Sequence, residues 1–222
     1  MIRAVLFDLD GTLADTAPDL ARVLNLQRTS RGLLPLPLSY LRRFASMGAR
    51  GLVQAGFEID SEDDRFRPLC DEFHELYALD VCRETRLFPG MDEVLEWLEV
   101  RGLAWGIVTN KIERYTLPLV QRLGLHARAH AVVSGDTTNR AKPHAEPLLF
   151  ACRQCGIAPP DCLYVGDDER DVKAARAAGM PVAVARYGYL GGGRPPETWG
   201  ADALFDAPTD LLHYLAGLRP AA

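Results

Sequence analysis

The sequence predicts an α/β fold: a doubly wound parallel sheet with a small α-helical cap domain inserted after the first strand. Three observations carry this. Short apolar runs alternate with helical segments along most of the chain, as strands joined by helical crossovers do. Polar residues gather just after successive apolar runs, and in an open parallel sheet the strand carboxyl ends share one edge, where ligands bind. A long stretch with its own apolar faces separates the first run from the second, and such an insertion is more often a functional lid than a loop.

Residues 2–7 read as a buried strand, and Asp8-Leu9-Asp10-Gly11-Thr12-Leu13 follows with no intervening turn. Strand side chains alternate, so Asp8 and Asp10 are expected on one side of the strand end. Two carboxylates ~4 Å apart repel by roughly 4 kcal/mol at an effective dielectric near 20. A fold tolerates that when a cation lies between them or one acid keeps its proton. Taken alone, the fragment also fits a solvated Asp-rich turn.

Residues 17–28, 40–57 and 63–82 carry apolar residues at three-to-four spacing and are expected to be helices. Leu33-Leu34-Pro35-Leu36-Pro37 breaks the first from the second, and Phe88-Pro89-Gly90 marks the return to the core. This places a cap at 16–86 and the core at 1–15 and 87–222. In the core, strand 104–108 ends in Thr109-Asn110-Lys111, and strand 131–133 is followed by Ser134-Gly135-Asp136 and then Lys142-Pro143. Strand 162–165 runs into Gly166-Asp167-Asp168-Glu169-Arg170-Asp171. Helices are expected at 92–100, 114–123, 146–155 and 171–178, with further strands at 181–185 and 203–205. Gly124 and Gly179 stand where helices should end.

Composition narrows the function classes. A chain of 222 residues can bury a real core as one large domain or two small ones. A net charge of -5 without a basic block argues against a nucleic-acid partner. No apolar run reaches the ~20 residues that span a bilayer, and acids interrupt the amino-terminal run too early for a signal peptide. Five cysteines, an odd count with no paired framework, suit a reducing cytosol, so the expected location is cytoplasmic. Cys152 and Cys155 form a CxxC inside a helix, and no second CxxC completes a zinc site. A packed or incidental pair is expected there rather than a redox or metal centre.

Asp8-Leu9-Asp10-Gly11-Thr12-Leu13, Thr109, Lys142 and Gly166-Asp167 with Asp171 resemble the four motifs of the haloacid dehalogenase superfamily, in its phosphatase branch. The resemblance covers essentially the whole chain in the expected order. It implies a Rossmann-like core with a helical cap. Within the phosphatases the chain looks most like the phosphoglycolate phosphatase family. Gly48-Ala49-Arg50, Trp105-Gly106-Ile107-Val108-Thr109-Asn110-Lys111, Tyr187-Gly188-Tyr189 and Trp199-Gly200-Ala201-Asp202 resemble a branch that hydrolyses N-acetylmuramic acid 6-phosphate in bacterial cell-wall recycling. One departure is visible: Lys142-Pro143-His144-Ala145 lacks the second proline usual two residues on, which bears on how Lys142 is aimed.

The resemblance implies Asp8 as nucleophile, through an aspartyl-phosphate. A carboxylate attacking a phosphate dianion needs cations nearby. Lys142 supplies one, and a hard divalent ion, Mg²⁺, suits carboxylate and carbonyl ligands. The family pattern assigns Asp8, the Asp10 carbonyl and Asp167 to that metal. Asp171 then orients Lys142 or a metal-bound water, and Asp168 could substitute. Asp10 protonates the leaving alkoxide and later activates water, a role that needs a raised pKa. Thr109 and the backbone N–H groups around Leu9 and Asn110 hold the phosphoryl oxygens.

The expected partner is a small phosphate ester, with the protein a monomer or homodimer. A sugar phosphomutase of the β-phosphoglucomutase type uses the same two aspartates, but no Arg-Ser pair of the sort that branch uses is evident in the cap. A receiver-like phosphosignalling module shares the acidic cluster, Thr and Lys, yet has no need of the Asp-x-Asp start or the cap. A dehalogenase needs neither the second acid nor Mg²⁺, and an inactive interaction protein has no reason to keep every motif. Both expected substrates, N-acetylmuramic acid 6-phosphate and 2-phosphoglycolate, carry a carboxylate. Arg50, between Gly48 and Gly51, is the candidate to grip it, or else a surface arginine at a helix start. Arg42 and Arg43 read as a solvated helix face.

Overall fold

The computed structural model describes residues 1–191 and 193–217; residue 192 and residues 218–222 of the expected core lie outside the described residues. The first strand, β1 (Ala4–Phe7), is buried throughout. Val5 and Phe7 enter one apolar cluster while Ala4 and Leu6 enter another, so β1 is covered on both faces. The chain then turns. The Gly11 N–H donates to the Ala14 carbonyl (3.0 Å), and β2 (Ala14–Asp15) pairs antiparallel with β3 (Arg86–Leu87). These two short strands are the crossings into and out of a helical insert, and neither was evident from periodicity because each spans two residues.

Between them lie α1 (Ala17–Ser30), α2 (Leu38–Leu41), α3 (Gly48–Phe57) and α4 (Phe66–Leu79). The helix expected at 40–57 is broken into α2, a 3-10 turn (Arg42–Met47) and α3. Gly48 (φ 60) marks the break, a backbone conformation that residues with a Cβ avoid. The helix expected at 63–82 is shorter at both ends. The insert is packed from within: Leu20, Leu24, Leu52, Val53, Phe73 and Tyr77 join the same apolar cluster as Val5 and Phe7.

After β3 the chain alternates α5 (Met91–Val100), β4 (Ala104–Val108), α6 (Glu113–Arg122), β5 (Ala131–Val133), α7 (Glu146–Cys155), β6 (Cys162–Gly166), α8 (Glu169–Ala177), β7 (Val182–Ala185), β8 (Ala203–Phe205) and α9 (Asp210–Gly217). The main sheet is six-stranded, in the order β5-β4-β1-β6-β7-β8, and every pairing is parallel. Residues of α5, α6 and α9 bury into the cluster on one face; those of α7 and α8 bury into the cluster on the other. The chain leaves β1 to one side for β4 and β5 and returns to its other side for β6. The carboxyl end of β1 is therefore the topological switch point, where a crevice forms. Among the described residues no helix is long and apolar enough to cross a membrane.

Candidate active site

Three strand ends deliver the site. Asp8 follows β1, Thr109 follows β4, and Asp167 follows β6. Oxygens of Asp8, Asp167 and Asp171 lie within 4.8 Å of one another. Asp10 shares the cavity with Asp8, as strand alternation suggested, and its charge pushes the Asp8 carboxyl up. The carboxylates that converge most tightly on Asp8, however, are those of Asp167 and Asp171. The turn after β1 gives Asp10 partners of its own: its Oδ1 accepts from the Thr16 hydroxyl (2.6 Å) and pairs with Lys111 Nζ (3.1 Å).

Lys142 answers the acidic cluster. Its side chain is 1% exposed, with Nζ 2.9 Å from Asp8 Oδ1 and 2.7 Å from Asp171 Oδ1. It also donates to the Tyr164 hydroxyl (2.8 Å), which in turn donates to the Val108 carbonyl (2.9 Å). The missing proline is offset by Asn110, whose side-chain amide donates to the Lys142 carbonyl and accepts from the Lys142 N–H, both at 2.9 Å. The geometry also separates two neighbouring acids. Asp171 holds Lys142, whereas Asp168 caps α8 and pairs with Arg170 at 2.6 Å.

Burial pushes the Asp8 carboxyl up to about 6; Lys142 pulls against this and Asp171 adds to it. Asp167 is pushed well above the usual carboxylate range by burial, then by Asp8 and Asp171. One ammonium faces three carboxylates, a deficit of positive charge at the cluster. Lys142 meets Asp8 Oδ1 as an ion pair outside hydrogen-bond geometry, so that buried oxygen has no hydrogen-bond partner. An oxygen-only donor set with an orphaned buried carboxylate atom fits a hard divalent cation. Both oxygens of Asp171 already serve Lys142 and the Asp168 N–H (3.1 Å), and those of Asp167 accept from the Thr12 hydroxyl (3.2 Å) and the Tyr189 N–H (2.8 Å).

A cavity of about 310 Å³ opens above this cluster. Asp8, Asp10, Thr109, Asn110, Lys142, Asp167 and Asp168 line it from the core side. Arg50, Phe73, His74 and Tyr77 line it from the insert, together with Met47 and Ser46. Arg50 is exposed and rests over the Phe66 ring at 5.0 Å. Arg43 is exposed, as a solvated face requires, whereas Arg42 is half-buried. Arg42 makes a two-pronged bond to Asp15 (2.7 and 2.9 Å), and Arg43 lies over Tyr40 and Phe44.

Several site residues were not given roles by sequence reasoning. Lys111 is one: burial works against its charge, yet Asp10 and Tyr77 hold it above the ordinary lysine range. Tyr164 and Arg170 are others; Arg170 donates to the Ser46 carbonyl of the insert (3.1 Å). A tyrosine inside an otherwise apolar strand was the available signal for Tyr164, because a buried phenol needs a partner. Cys152 is buried against Cys162, and all five cysteines are free.

A parallel sheet carrying an acid–lysine–acid cluster at its switch point, roofed by a helical insert, defines a hydrolase of the haloacid dehalogenase type. The haloacid dehalogenase-like hydrolase family model matches residues 5–185, and the chain belongs to that family. It is 42% identical to an N-acetylmuramic acid 6-phosphate phosphatase of Pseudomonas aeruginosa over 96% of this chain and 95% of that one. It is also 42% identical to a phosphoglycolate phosphatase of Xanthomonas campestris pv. campestris over 98% of each chain. A crystal structure described as a predicted phosphoglycolate phosphatase from Haemophilus somnus superposes with a TM-score of 0.83 at 29% identity, covering 96% of this chain and 98% of that one. The chain is an enzyme of the phosphatase class.

Proposed function

We propose that this phosphatase is Mg²⁺-dependent, forms an aspartyl-phosphate on Asp8, and acts on a carboxylate-bearing phosphate ester of sugar size. N-acetylmuramic acid 6-phosphate is the favoured substrate, and 2-phosphoglycolate the second. The observation that carries this reading is the cavity: Asp8 and Lys142 stand at its floor, and Arg50, Phe73 and Tyr77 line it from the insert. Its volume, about 310 Å³, suits a ligand larger than a two-carbon acid. The aromatic wall gives a sugar ring a face to lie on, and Arg50 offers a guanidinium to a carboxylate. The same two substrates are named for relatives of this chain.

Residues 16–86 serve as the cap over the core. An oxygen of Asp8 attacks phosphorus, the bond from phosphorus to the ester oxygen breaks, and Asp10 gives its proton to the leaving alkoxide. Asp10 then takes a proton from water. That water attacks phosphorus, breaks its bond to Asp8, and frees inorganic phosphate with Asp8 restored. Thr109 and the N–H groups of Leu9 and Asn110 hold the phosphoryl oxygens, and Lys142, kept in place by Asp171, offsets their charge. Asp8, the Asp10 carbonyl and Asp167 would hold Mg²⁺, which supplies further positive charge against the phosphate. The cytoplasm is the proposed place of action, with the protein a monomer or homodimer.

The test is a phosphate balance. Initial rates over N-acetylmuramic acid 6-phosphate, 2-phosphoglycolate and hexose phosphates, with and without Mg²⁺, should show inorganic phosphate appearing in step with substrate loss. Net isomerisation of a hexose phosphate with little phosphate release would make the protein a mutase instead.

A further inference from the structure

Tyr187-Gly188-Tyr189 marks a sequence branch but has no part in the chemistry above, and its placement is informative. The Tyr189 N–H donates to Asp167 Oδ2 (2.8 Å). Its hydroxyl, on a residue only 5% exposed, lies at the first crossing into the cap. There it accepts from the backbone N–H groups of Thr16 (2.7 Å) and Ala17 (2.8 Å) and donates to Asp15 Oδ1 (3.0 Å). Thr16 is fully buried, and its own hydroxyl donates to Asp10 at 2.6 Å. The contact between turn and cluster is close by construction: a Cβ on Gly188 would stand 2.3 Å from the Gly11 carbonyl oxygen and 2.4 Å from Asp167 Cβ. A tyrosine here therefore touches the acidic cluster with its backbone and the start of the cap with its side chain.

We propose that Tyr189 is a positioning residue for Asp10. By seating the two N–H groups that open α1, its hydroxyl fixes Thr16, and Thr16 fixes the carboxylate that moves the proton. The role rests on the reading of Asp10 as proton donor to the leaving group. A phenylalanine keeps the ring that packs on Phe88 (6.5 Å between centroids) and removes only the hydroxyl, leaving two buried N–H groups without their acceptor.

The test uses leaving groups. N-acetylmuramic acid 6-phosphate leaves as an alkoxide that needs a proton, or 2-phosphoglycolate if the wild type prefers it, whereas p-nitrophenyl phosphate leaves as a stable phenolate. Tyr189→Phe should lower kcat on the alkyl ester by roughly ten- to a hundredfold, as a small misplacement of a catalytic group does, with KM moving much less. First-turnover release of p-nitrophenolate should fall far less. Thr16→Val, which cuts the same path at its other end, should show the same split. The double variant should be no worse than the poorer single one, because both act through one bond. Equal losses on the two esters, or additive losses in the double variant, would overturn the proposal and leave Tyr189 a packing residue. A crystal structure of Tyr189→Phe in which Thr16 still bonds Asp10 would overturn it whatever the kinetics. Wild-type enzyme with no Mg²⁺-dependent turnover would overturn the functional reading instead, and the crystal structure would still decide whether Tyr189 sets Asp10.

Discussion

Asp171 binds Lys142 with one carboxylate oxygen, at 2.7 Å, and the backbone N–H of Asp168 with the other, at 3.1 Å. The lysine is thereby fastened to the amino terminus of α8. Aiming a flexible four-carbon side chain takes such a fixed partner, and the loop around Pro143 does not have to do it alone.

Removing the cation should accordingly be costly to fold and function alike. Lys142→Ala leaves Asp171 and Asp8 buried without their counter-charge, which costs about 3–5 kcal/mol for a broken buried pair. Denaturant unfolding should show that loss, and turnover should vanish. A variant with near wild-type stability would mean that water reaches Asp171 when the lysine is gone.

Asp8→Asn separates stability from activity. The substitution removes the nucleophile, so turnover should be abolished. It also removes one of the acids crowded at the cluster, so the metal-free variant should melt no lower than the metal-free wild type. Robust Mg²⁺-dependent turnover would end the assignment of Asp8 as nucleophile.

The contribution of Asp8 and Asp167 to the pH response of the metal-free protein has a definite sign. Asp8, at about 6, and Asp167, well raised, bind protons more tightly when folded than when unfolded. Their contribution is fully present below the unfolded value near 4 and is lost as pH rises through about 6 and beyond. Mg²⁺ needs the deprotonated oxygens, so its stabilising effect should grow over the same window. At a hundredfold excess over Kd it should reach about 2.7 kcal/mol, or roughly 5–10 °C for a chain of this size. Thermal melts with Mg²⁺ and with chelator at pH 5 and 7.5 would check this. An equal shift at both pH values would place the ion away from Asp8 and Asp167.

Arg50→Ala should raise KM for a carboxylate-bearing ester about tenfold. That is the low end of the roughly 1.5–3 kcal/mol for a charge-assisted bond, because this guanidinium is exposed. Hydrolysis of a small phosphate ester lacking a carboxylate should change little. Equal losses on both would show that Arg50 acts through its packing on Phe66 and does not select the substrate.

Asp19 governs the second crossing. Its buried carboxylate accepts from the N–H groups of Arg83, Glu84 and Thr85 at 3.0, 2.9 and 2.8 Å and from the Thr85 hydroxyl at 2.7 Å. Asp19→Ala orphans these donors and should cost about 2–4 kcal/mol, since each lost bond to a charged group contributes about 1.5–3 before relaxation. A loss below 1 kcal/mol would mean that the 83–85 segment refits to water.

What was legible in the sequence follows from range. β4, β6 and their terminal motifs were readable because an apolar run followed by acids is a local pattern, and the parallel core follows from their repetition. β2 and β3 were not, because two residues carry no period and each is a strand only by virtue of the other. The same limit hid Tyr164 and Lys111, whose roles come from residues remote in sequence: Tyr164 meets Lys142, and Lys111 meets Tyr77 and Asp10. Arg42 was misread because its charged neighbours suggested solvent, while its partner Asp15 lies on another element. Arg50 stands as the sequence left it, lining the cavity without a fixed carboxylate partner of its own among the described residues.

The strand order also fixes a sequence of events at the ribosome. β1 lies between β4 and β6, so the first strand made has neither neighbour when it emerges. The next segment out is the helical insert, whose helices α1, α3 and α4 pack mainly on one another and so can condense early from local contacts. Asp8 then waits, unpaired, until Lys142 and Asp167 have been synthesised and β6 slots in beside β1. A nascent chain arrested between the insert and β4 would hold a roof with no hearth beneath it, its first strand bare on both edges and open to wrong pairing.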